Sequence, residues 1–374
     1  MRLTRCAPAL LAAVSARALS IPAPGNLAIT KDLAHDTKKD MDSFTVLTWS
    51  ELDAIMSGDS DTGKNSGSHG DSDNDRVGLL DGPAATPCEN PKVRVEWDRL
   101  KESKKEEFLK AVRCLMNKKE PFDGVPELPS IWHTLAWVHN EGKALIHGTD
   151  QFLPWHRYYI YMLETLLKDQ CSYGGPIPWW YEPDYAGDLA DASLFSPEYF
   201  GTLHPKINGR TTCVTDGWFA NTTVIVGTSK TCLSRGEDKA YSNLVTTNYE
   251  ERCHGDKNTS YESHRSCVEG TIHAATHNAI GGAMASLSAS PHDPIFFLHH
   301  GYVDWQWARW QNVDSDRKRT ISGCAVPRDE LTRVCNEYLT LDTVLKGYGV
   351  IPDMKVRDVL DTKNQIMCYT YDKA

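Results

Sequence analysis

Two histidines nine residues apart stand out because of the residues between them. They enclose the stretch His147-Gly-Thr-Asp-Gln-Phe-Leu-Pro-Trp-His156, in which an aromatic and proline turn separates the two imidazoles. His156 also begins an apolar stripe at the i, i+4, i+7 and i+11 spacing of a buried helix face, which continues through Ile160, Leu163 and Leu167. The pattern predicts a histidine at the start of a core-facing helix, where its imidazole could bind a metal ion.

A third histidine, His139, lies in the segment before this stretch. Residues 131–141 carry apolar side chains at helical spacing, and His139 falls one turn after one of them. His133 comes six residues earlier and therefore points to a different face of the same helix. Three neutral imidazoles that met in a core without a metal would leave donors and acceptors unmatched, at a cost in free energy. We therefore predict that His139, His147 and His156 bind one metal ion.

A second group of histidines follows later in the chain. His273 and His277 are four residues apart, the spacing that brings two imidazoles to one ion from one helical face. After a turn at Asp293-Pro294, His300 lies on the apolar stripe of the next predicted helix, whereas His299 lies on its more polar stripe. We predict that His273, His277 and His300 form the second metal site and that His299 faces away from it.

Asp304 lies one helical turn beyond His300 and has two interpretations. It could accept a hydrogen bond from a metal-binding imidazole, which fixes the tautomer and the ring angle of such a ligand. It could equally form a salt bridge to Arg157 or Arg309 that holds two helices together. Both interpretations stay open on the sequence.

The donor set narrows the choice of metal. Imidazole serves zinc, copper, iron and nickel alike. Two-metal hydrolases need carboxylates or a bridging acid to hold a hydroxide between their ions, and neither histidine trio has a carboxylate at a ligand spacing. Sites made purely of imidazole fit copper that cycles between Cu(I) and Cu(II), so the sequence predicts dioxygen chemistry.

The chain is long enough to bury both sites. Its 374 residues are 40% hydrophobic, which predicts one large domain or two small ones. The net charge of −10 offers no basic stripe to replace the counterions of a nucleic acid, so we expect no nucleic-acid partner.

The N-terminus predicts a secretory route. Two arginines precede an apolar run and a pair of small residues, which is typical of a signal peptide, here residues 1–20. No later run reaches the roughly 20 apolar residues of a membrane helix, so we expect no membrane partner and a secreted protein or one of the secretory pathway. Asn221 and Asn258 begin N-glycosylation sequons and are candidate glycan sites.

Cysteine usage fits the same compartment. Eleven cysteines include Cys6 in the predicted signal peptide, which leaves ten, an even number suited to disulfides in an oxidising environment. Buried free thiols are the alternative. Local pairing of Cys213 with Cys232 and of Cys253 with Cys267 is expected from their short separations.

Residues 21–86 differ from the rest in composition. They hold 12 acidic and 5 basic side chains, and the part from 57 to 82 is too rich in Gly, Ser, Asp and Asn to bury enough apolar surface to order itself. We predict a flexible acidic segment or a removable pro-segment, with a helical piece at 44–56. The catalytic domain is then expected over 87–374, with an amphipathic helix at 93–115.

The two histidine stretches resemble the signatures of a known family. His147-x4-Phe-Leu-Pro-Trp-His156-Arg-x2-Ile160-x3-Glu164 is similar to the first copper signature of the tyrosinase and polyphenol oxidase family, except that Ile160 replaces the more frequent Leu, Val, Met or Thr. Asp293-Pro-x-Phe-Phe-x2-His300-x3-Asp304 is similar to the second signature, and Tyr369-Thr-Tyr371 resembles the motif that closes the catalytic core of the family. The resemblance covers about residues 87 to 371 and is most like the short secreted fungal members, without the C-terminal shielding domain of longer ones.

The resemblance implies a fold, a cofactor and an activity. The implied fold is mainly α, an antiparallel four-helix bundle that holds a dicopper centre, with long loops, a few short strands and disulfides. The implied activity is that of a copper oxidoreductase that uses dioxygen to oxidise small phenolic substrates, o-diphenols and in some members monophenols such as tyrosine, to o-quinones. The implied ligands of the two copper ions are His139, His147 and His156 for the first and His273, His277 and His300 for the second.

Monophenol hydroxylation in the family is associated with an acidic residue and an asparagine directly after the fourth histidine, which together orient a water. Here Ala274 occupies the position after the fourth histidine, while Asn278 follows the fifth and Glu269 is the nearest acid. We name Glu269 and Asn278 as candidate catalytic residues that position water or substrate. A charge that stabilises a helix N-terminus is the alternative role of Glu269. Leu145 replaces the cysteine that some members cross-link to the second histidine, so no thioether is expected.

Other classes of protein could use the same histidines. A haemocyanin-like dioxygen-binding protein would hold the same two copper ions without turnover, although no lid domain is recognisable in this chain. A zinc hydrolase, or a protein that uses its metal only for stability, is a further alternative. Metal analysis would separate these classes.

Overall fold

Helices carry most of the architecture. The computed structural model describes residues 42–57, 86–119, 121–255 and 259–373. Within these ranges the strands are short and form four two-stranded sheets, so the expected mainly α fold is confirmed. The predicted signal peptide, residues 58–82 of the predicted linker and Asn258 lie outside the described residues.

Ten α-helices and eight strands are found in the described part of the chain. The helices are α1 Trp49–Ser57, α2 Glu102–Asn117, α3 Ile131–Ile146, α4 Phe152–Cys171, α5 Lys239–Ser242, α6 Thr247–His254, α7 Tyr261–Val268, α8 Ala274–Ile280, α9 Ile295–Asn312 and α10 Val356–Leu360. The strands are β1 Lys92–Arg94, β2 Thr212–Cys213, β3 Thr223–Val226, β4 Ser229–Cys232, β5 Ser234–Arg235, β6 Val344–Leu345, β7 Met354–Lys355 and β8 Tyr369–Tyr371.

The long helix α4 begins and ends as its sequence predicts. Pro154 lies in the first turn, where a backbone N–H has no acceptor within the helix, so the missing donor costs nothing. Beyond the last residue, Ser172 takes a left-handed conformation with φ of 56° and donates its N–H to the carbonyl of Lys168 at 3.1 Å. Within the core α4 packs against α2, α3 and α9.

One predicted helix begins later than its pattern indicated. We predicted helix from residue 93, but residues 92–94 form β1, which pairs in parallel with β8, and the helix α2 starts at Glu102. The disulfide between Cys88 and Cys368 joins the same two segments. Pairing with a strand almost 280 residues away in sequence outweighs the local helical pattern, because the tertiary contact supplies hydrogen bonds that periodicity cannot reveal.

Five disulfides staple the domain. The two local pairs expected from the sequence, Cys213 with Cys232 and Cys253 with Cys267, are confirmed. The remaining pairs are Cys88–Cys368, Cys114–Cys171 and Cys324–Cys335. All ten cysteines beyond Cys6 are therefore paired in the structure.

A buried ion network joins α4 to α9. The carboxylate of Asp304 accepts from Arg157 Nε at 2.5 Å and from Arg94 Nη1 at 3.2 Å. The hydroxyls of Tyr369 and Tyr371 donate to the same carboxylate. Asp304 and both arginines are at most 3% exposed. Of the two interpretations of Asp304, the salt bridge between helices is the one found, with Arg157 as its partner.

Residues 42–57, which we call the N-terminal strap, pack against the helical domain. The helical piece expected at 44–56 is found at Trp49–Ser57. Leu52 in this helix is completely buried, and Trp49 stacks on Tyr249 with ring centroids 4.1 Å apart. The N–H of Leu47 donates to the carbonyl of Gly270 at 2.6 Å.

Among the described helices, none is both long and apolar enough to cross a lipid bilayer.

Replacing Asp304 by Asn should destabilise the fold strongly. The substitution keeps the shape of the side chain but leaves the buried guanidinium group of Arg157 without a counter-charge, which typically costs about 3–5 kcal/mol, whereas Arg94 keeps its ion pair with Glu164. We expect this loss of stability to appear as a lower urea concentration at the midpoint of denaturation. Asp342, which forms exposed ion pairs with Lys355 and Arg357, provides the control, because solvent screens such pairs and Asp342→Asn should leave the midpoint almost unchanged. Equal effects of both substitutions would contradict the role assigned to Asp304.

The same network sets a pH dependence. Burial alone would raise the pKa of Asp304, but Arg157 and Arg94 hold that pKa below its ordinary value. The stabilisation is therefore present above the unfolded pKa of about 3.9 and is lost as the pH falls through the lower folded pKa. Acid unfolding of the Asp304→Asn variant should show a weaker pH dependence in this window.

Candidate metal centre

The first three histidines converge as predicted. His139 lies in α3, His147 follows the last residue of that helix, and His156 is the fifth residue of α4. Each offers one ring nitrogen, and these nitrogens all lie within 4.8 Å of one another. His133 faces away from this trio, as expected, and contacts Ser130 Oγ at 2.8 Å through its Nδ1. The trio forms a candidate metal site of three imidazoles, which we call the first cluster.

The second cluster contains one histidine more than predicted. His273 ends a π turn at residues 269–273, His277 lies in α8, and His299 and His300 lie in α9. One nitrogen from each of the four lies within 4.8 Å of the others. The expectation that His299 faces away from the site is therefore wrong. All sides of this part of α9 are buried, so a polar stripe did not mark a solvent-facing side.

Backbone carbonyls orient four of the imidazoles. In each case Nδ1 contacts a main-chain oxygen while Nε2 is buried without a hydrogen-bond partner among the described residues. The pairs are His147 with Lys143 O at 3.2 Å, His156 with Phe152 O at 2.8 Å, His273 with Glu269 O at 2.9 Å and His277 with Met284 O at 2.6 Å. An Nδ1–H that donates to a carbonyl leaves the Nε2 lone pair free, which is the tautomer that binds a metal.

Buried ring nitrogens without a hydrogen-bond partner indicate whether the site suits a metal ion. Nε2 of His139, His299 and His300 also lacks a hydrogen-bond partner within the described ranges. A buried polar atom without a partner costs free energy, and seven of them pointing into two adjoining clusters would be a heavy cost. Imidazole nitrogens at this spacing suit a transition-metal ion, so the residues present fit the group that the donor set predicts.

Burial keeps the candidate ligands in their neutral form. It lowers the pKa of His147 to about 4. Burial and the neighbouring imidazoles together lower the pKa well below 6.5 for His139, His156, His273, His277 and His300. A neutral imidazole is the form that binds a metal, so no proton has to be removed at neutral pH.

The two clusters share a wall. The rings of His156 and His300 are stacked, with centroids 4.3 Å apart and planes 8° from parallel. His147 and His273 face each other across a longer gap, 6.3 Å between centroids. Ions bound in the two clusters would therefore be neighbours, so the site is suited to a dinuclear centre and not to two separate metals.

Glu182 holds the helices of the second cluster together. Its carboxylate is completely buried, and Oε1 lies 2.5 Å from His299 Nδ1 while Oε2 accepts from Thr276 Oγ1 at 2.6 Å. Thr276 and His299 directly precede His277 and His300 in the chain. The carboxylate thus joins α8 to α9 next to a candidate ligand on each helix.

The candidate catalytic residues lie beside the second cluster. Glu269 accepts the N–H of Gly148 at 2.7 Å and forms an ion pair with Arg265 at 2.7 Å, and burial raises its pKa. Asn278 Nδ2 donates to the carbonyls of Phe44 and Ala274, each at 2.9 Å. Glu269 thereby connects the residue after His147 to the turn before His273. The roles of Glu269 and Asn278 in positioning water or substrate stay predictions.

Comparison with known proteins agrees with the histidine geometry. The family model described as the common central domain of tyrosinase matches residues 129–313, the stretch that contains both clusters. A tyrosinase from Aspergillus flavus, ustQ, is 31% identical over 323 residues, which cover 79% of this chain and 84% of that protein. The chain belongs to the tyrosinase family. The dicopper centre of this family accounts for the paired imidazole clusters of the chain, whose donor set fits two copper ions.

Two further relatives extend the comparison. The N-acetyl-6-hydroxytryptophan oxidase ivoB of Emericella nidulans is 28% identical over 348 residues, 76% of this chain and 93% of that protein. The structure of a polyphenol oxidase mutant from Thermothelomyces thermophila superposes with a TM-score of 0.66 at 24% identity, and covers 75% of this chain and 88% of that one. This tyrosinase-family chain thus has the polyphenol oxidase fold.

Two residues beside the clusters, Glu182 and Phe44, were not singled out in the sequence. The stretch around Trp179 and Trp180 is rich in large aromatic side chains, and both indole rings are buried. Within that stretch, however, Glu182 orients His299. A carboxylate inside an apolar run was the available signal, because a buried charge needs a partner. Phe44, which lies against the second cluster, carried no such signal.

Replacing His147 by Ala should remove the copper of the first cluster. Two imidazoles would remain there, and the protein should bind one copper per chain instead of two in metal analysis. His133→Ala is the matched control, because this imidazole lies outside both clusters. A His147→Ala protein with two coppers would contradict the assignment of this residue as a ligand.

Replacing Glu182 by Ala should weaken the copper of the second cluster. Loss of a carboxylate that orients a metal-site histidine commonly lowers metal affinity by about 10–100-fold. We expect that dialysis against a chelator leaves one copper per chain in this variant but two in the native protein. Glu182→Gln, which keeps an acceptor oxygen, should have an intermediate affinity. The exposed Glu141→Ala is the control, and equal copper retention in all four proteins would refute the role of Glu182.

Proposed function

We propose that this tyrosinase-family copper oxidoreductase oxidises o-diphenols to o-quinones with dioxygen. The observation that carries the proposal is the adjoining pair of buried imidazole clusters, joined by the stacked rings of His156 and His300. Each o-diphenol loses two electrons and two protons, so two molecules of diphenol reduce one dioxygen to two molecules of water. When bound, two copper ions supply the redox chemistry that couples these steps.

We propose as ligands His139, His147 and His156 for one copper and His273, His277 and His300 for the other. His299, oriented by Glu182, supports the second trio from beside it. The protein residues hold neutral nitrogens in place before a metal arrives, which limits the reorganisation needed on binding.

Aromatic side chains close the site against water. The ring of Phe152 lies 4.7 Å from that of His273, and the ring of Phe296 lies 4.1 Å from that of His300 and 5.3 Å from that of His139. Both phenylalanines are completely buried. They surround the imidazoles with an apolar wall that excludes competing water and suits the ring of a phenol.

Monophenols such as tyrosine or tyrosine-containing metabolites are the second substrate class of the proposal. The relatives support phenolic and related aromatic substrates, since their names describe tyrosinases and an oxidase of a hydroxylated tryptophan. Hydroxylation requires a group that positions a base, and Ala274 cannot supply it. Asn278 and Glu269 remain the proposed positioning residues for that step.

We further propose that the protein follows the secretory route. Five disulfides favour an oxidising compartment. Asn221 of the first sequon is exposed, in a left-handed conformation with φ of 58°, and is therefore accessible for a glycan.

Oxygen uptake tests the proposed activity directly. The protein loaded with two coppers should consume one dioxygen for every two molecules of catechol, and the His147→Ala variant should consume none. Uptake with tyramine as well would establish monophenol hydroxylation. Reversible oxygen binding without turnover of catechol would overturn the proposal in favour of a haemocyanin-like carrier, and zinc in place of copper would overturn it in favour of a hydrolase.

A further inference from the structure

A phenylalanine from the N-terminal strap lies against both clusters. The ring of Phe44 stacks on the imidazole of His277, with centroids 3.8 Å apart and planes 13° from parallel. Its ring also lies edge-on to His273 at 5.3 Å and to His147 at 6.0 Å. One apolar side chain from the N-terminal strap therefore covers candidate ligands of both copper ions.

The ring of Phe44 covers one face of an imidazole that is otherwise buried. His273, His277 and His300 are each at most 1% exposed. A phenol whose hydroxyl is to reach ions held by these nitrogens would have to come against the imidazoles, and one face of His277 is already covered by Phe44. Two aromatic rings cannot stack on the same face of one imidazole, so Phe44 and a substrate compete for one position.

We propose that Phe44 controls which phenols reach the dicopper centre, and that the N-terminal strap inhibits the enzyme by holding this ring in the substrate position. The inference rests on the proposed oxidation of phenols. A substrate binds only after the ring has moved. The apparent affinity is therefore the intrinsic affinity multiplied by the fraction of molecules in which the position is open.

Several hydrogen bonds hold the strap on either side of Phe44. The carbonyl of Asp42 accepts the N–H of Leu287 at 3.1 Å, and its carboxylate accepts from Ser286 Oγ at 2.6 Å and from the N–H of Ser288 at 2.8 Å. The carbonyl of Phe44 itself accepts from Asn278 Nδ2 at 2.9 Å. These contacts explain why a single apolar ring is held in one place.

The helix α1 anchors the strap at a distance from the clusters. Trp49 stacks on Tyr249, Asp53 forms an ion pair with Arg252, and the carbonyl of Ile55 accepts from Ser263. None of these contacts involves a histidine of the clusters. The ring of Phe44 can therefore leave through movement of residues 42–48 alone, while α1 stays docked on the domain.

The first experiment removes the ring. Phe44→Ala should lower KM for catechol by about tenfold while kcat and the copper content stay at two per chain, because the competitor is lost and the chemistry is untouched. Phe44→Leu, which keeps apolar bulk in the position, should retain most of the native KM. The difference in KM between the native protein and Phe44→Ala should be larger for bulky catechols than for catechol itself, since the ring of Phe44 also limits the space beside His277.

The second experiment prevents the movement. Ser43 and Ser286 face each other in an antiparallel bridge, so the double variant Ser43→Cys and Ser286→Cys should form a disulfide that locks the strap. We expect the locked protein to retain two coppers but to oxidise catechol at least tenfold more slowly than the single variant Ser43→Cys. Adding Phe44→Ala to the locked protein should restore oxidation. This result would show that the ring of Phe44, and not the fixed strap itself, inhibits the enzyme.

A binding measurement complements the kinetics. Benzoate, an aromatic acid that is not oxidised, should increase hydrogen exchange at the amide of Leu287 in the copper-loaded protein, because that amide donates to the strap. An unchanged KM in Phe44→Ala, full activity of the locked protein, or unchanged exchange with benzoate would each overturn the inference. These outcomes differ from failure of the proposed function, in which no variant would oxidise catechol at all.

Discussion

The placement of the two histidine clusters depends on the buried ion pair between Asp304 and Arg157. Arg157 directly follows the candidate ligand His156, and Asp304 lies one helical turn beyond the candidate ligand His300. The ion pair between them therefore fixes the distance between two helices that each carry a ligand. An isolated buried charge would be very costly, and the remaining acceptor positions are satisfied by Arg94 and the tyrosine pair of β8. The first and last strands of the domain thus complete a network that starts beside the clusters.

Around this frame, the imidazoles are arranged for a metal before any metal binds. Three of the four that contact backbone use the carbonyl of the residue four positions earlier, so local helical geometry sets their tautomer. Burial keeps them neutral, and the carboxylate of Glu182 contacts the neighbouring His299. A rigid site for a dicopper centre agrees with three other features of the protein. These are its membership of the tyrosinase family, the stacked rings between the two clusters and the pairing of every described cysteine.

The N-terminal strap adds a level of organisation that the histidine motifs do not contain. The sequence predicted a flexible acidic segment with a helical piece at 44–56, and residues 42–57 dock on the helical domain through apolar and hydrogen-bonding contacts. A short segment that cannot bury its apolar side chains against itself can be ordered by the surface on which it docks. The same reasoning explains β1, whose helical pattern was outweighed by pairing with β8.

The sequence by itself determined the metal chemistry. Histidine spacing on helices depends only on local periodicity, so the six candidate ligands could be predicted from neighbouring residues. The short separations of four cysteines predicted the local disulfides, and the resemblance to the tyrosinase family implied the mainly α class. Only the tertiary structure decided the contacts between distant segments. Glu182 meets His299 across 117 residues, and Asn278 meets Phe44 across 234. No periodicity encodes such pairings, because they depend on how the helices pack, and that packing also brought His299 into the site and placed an aromatic ring over His277.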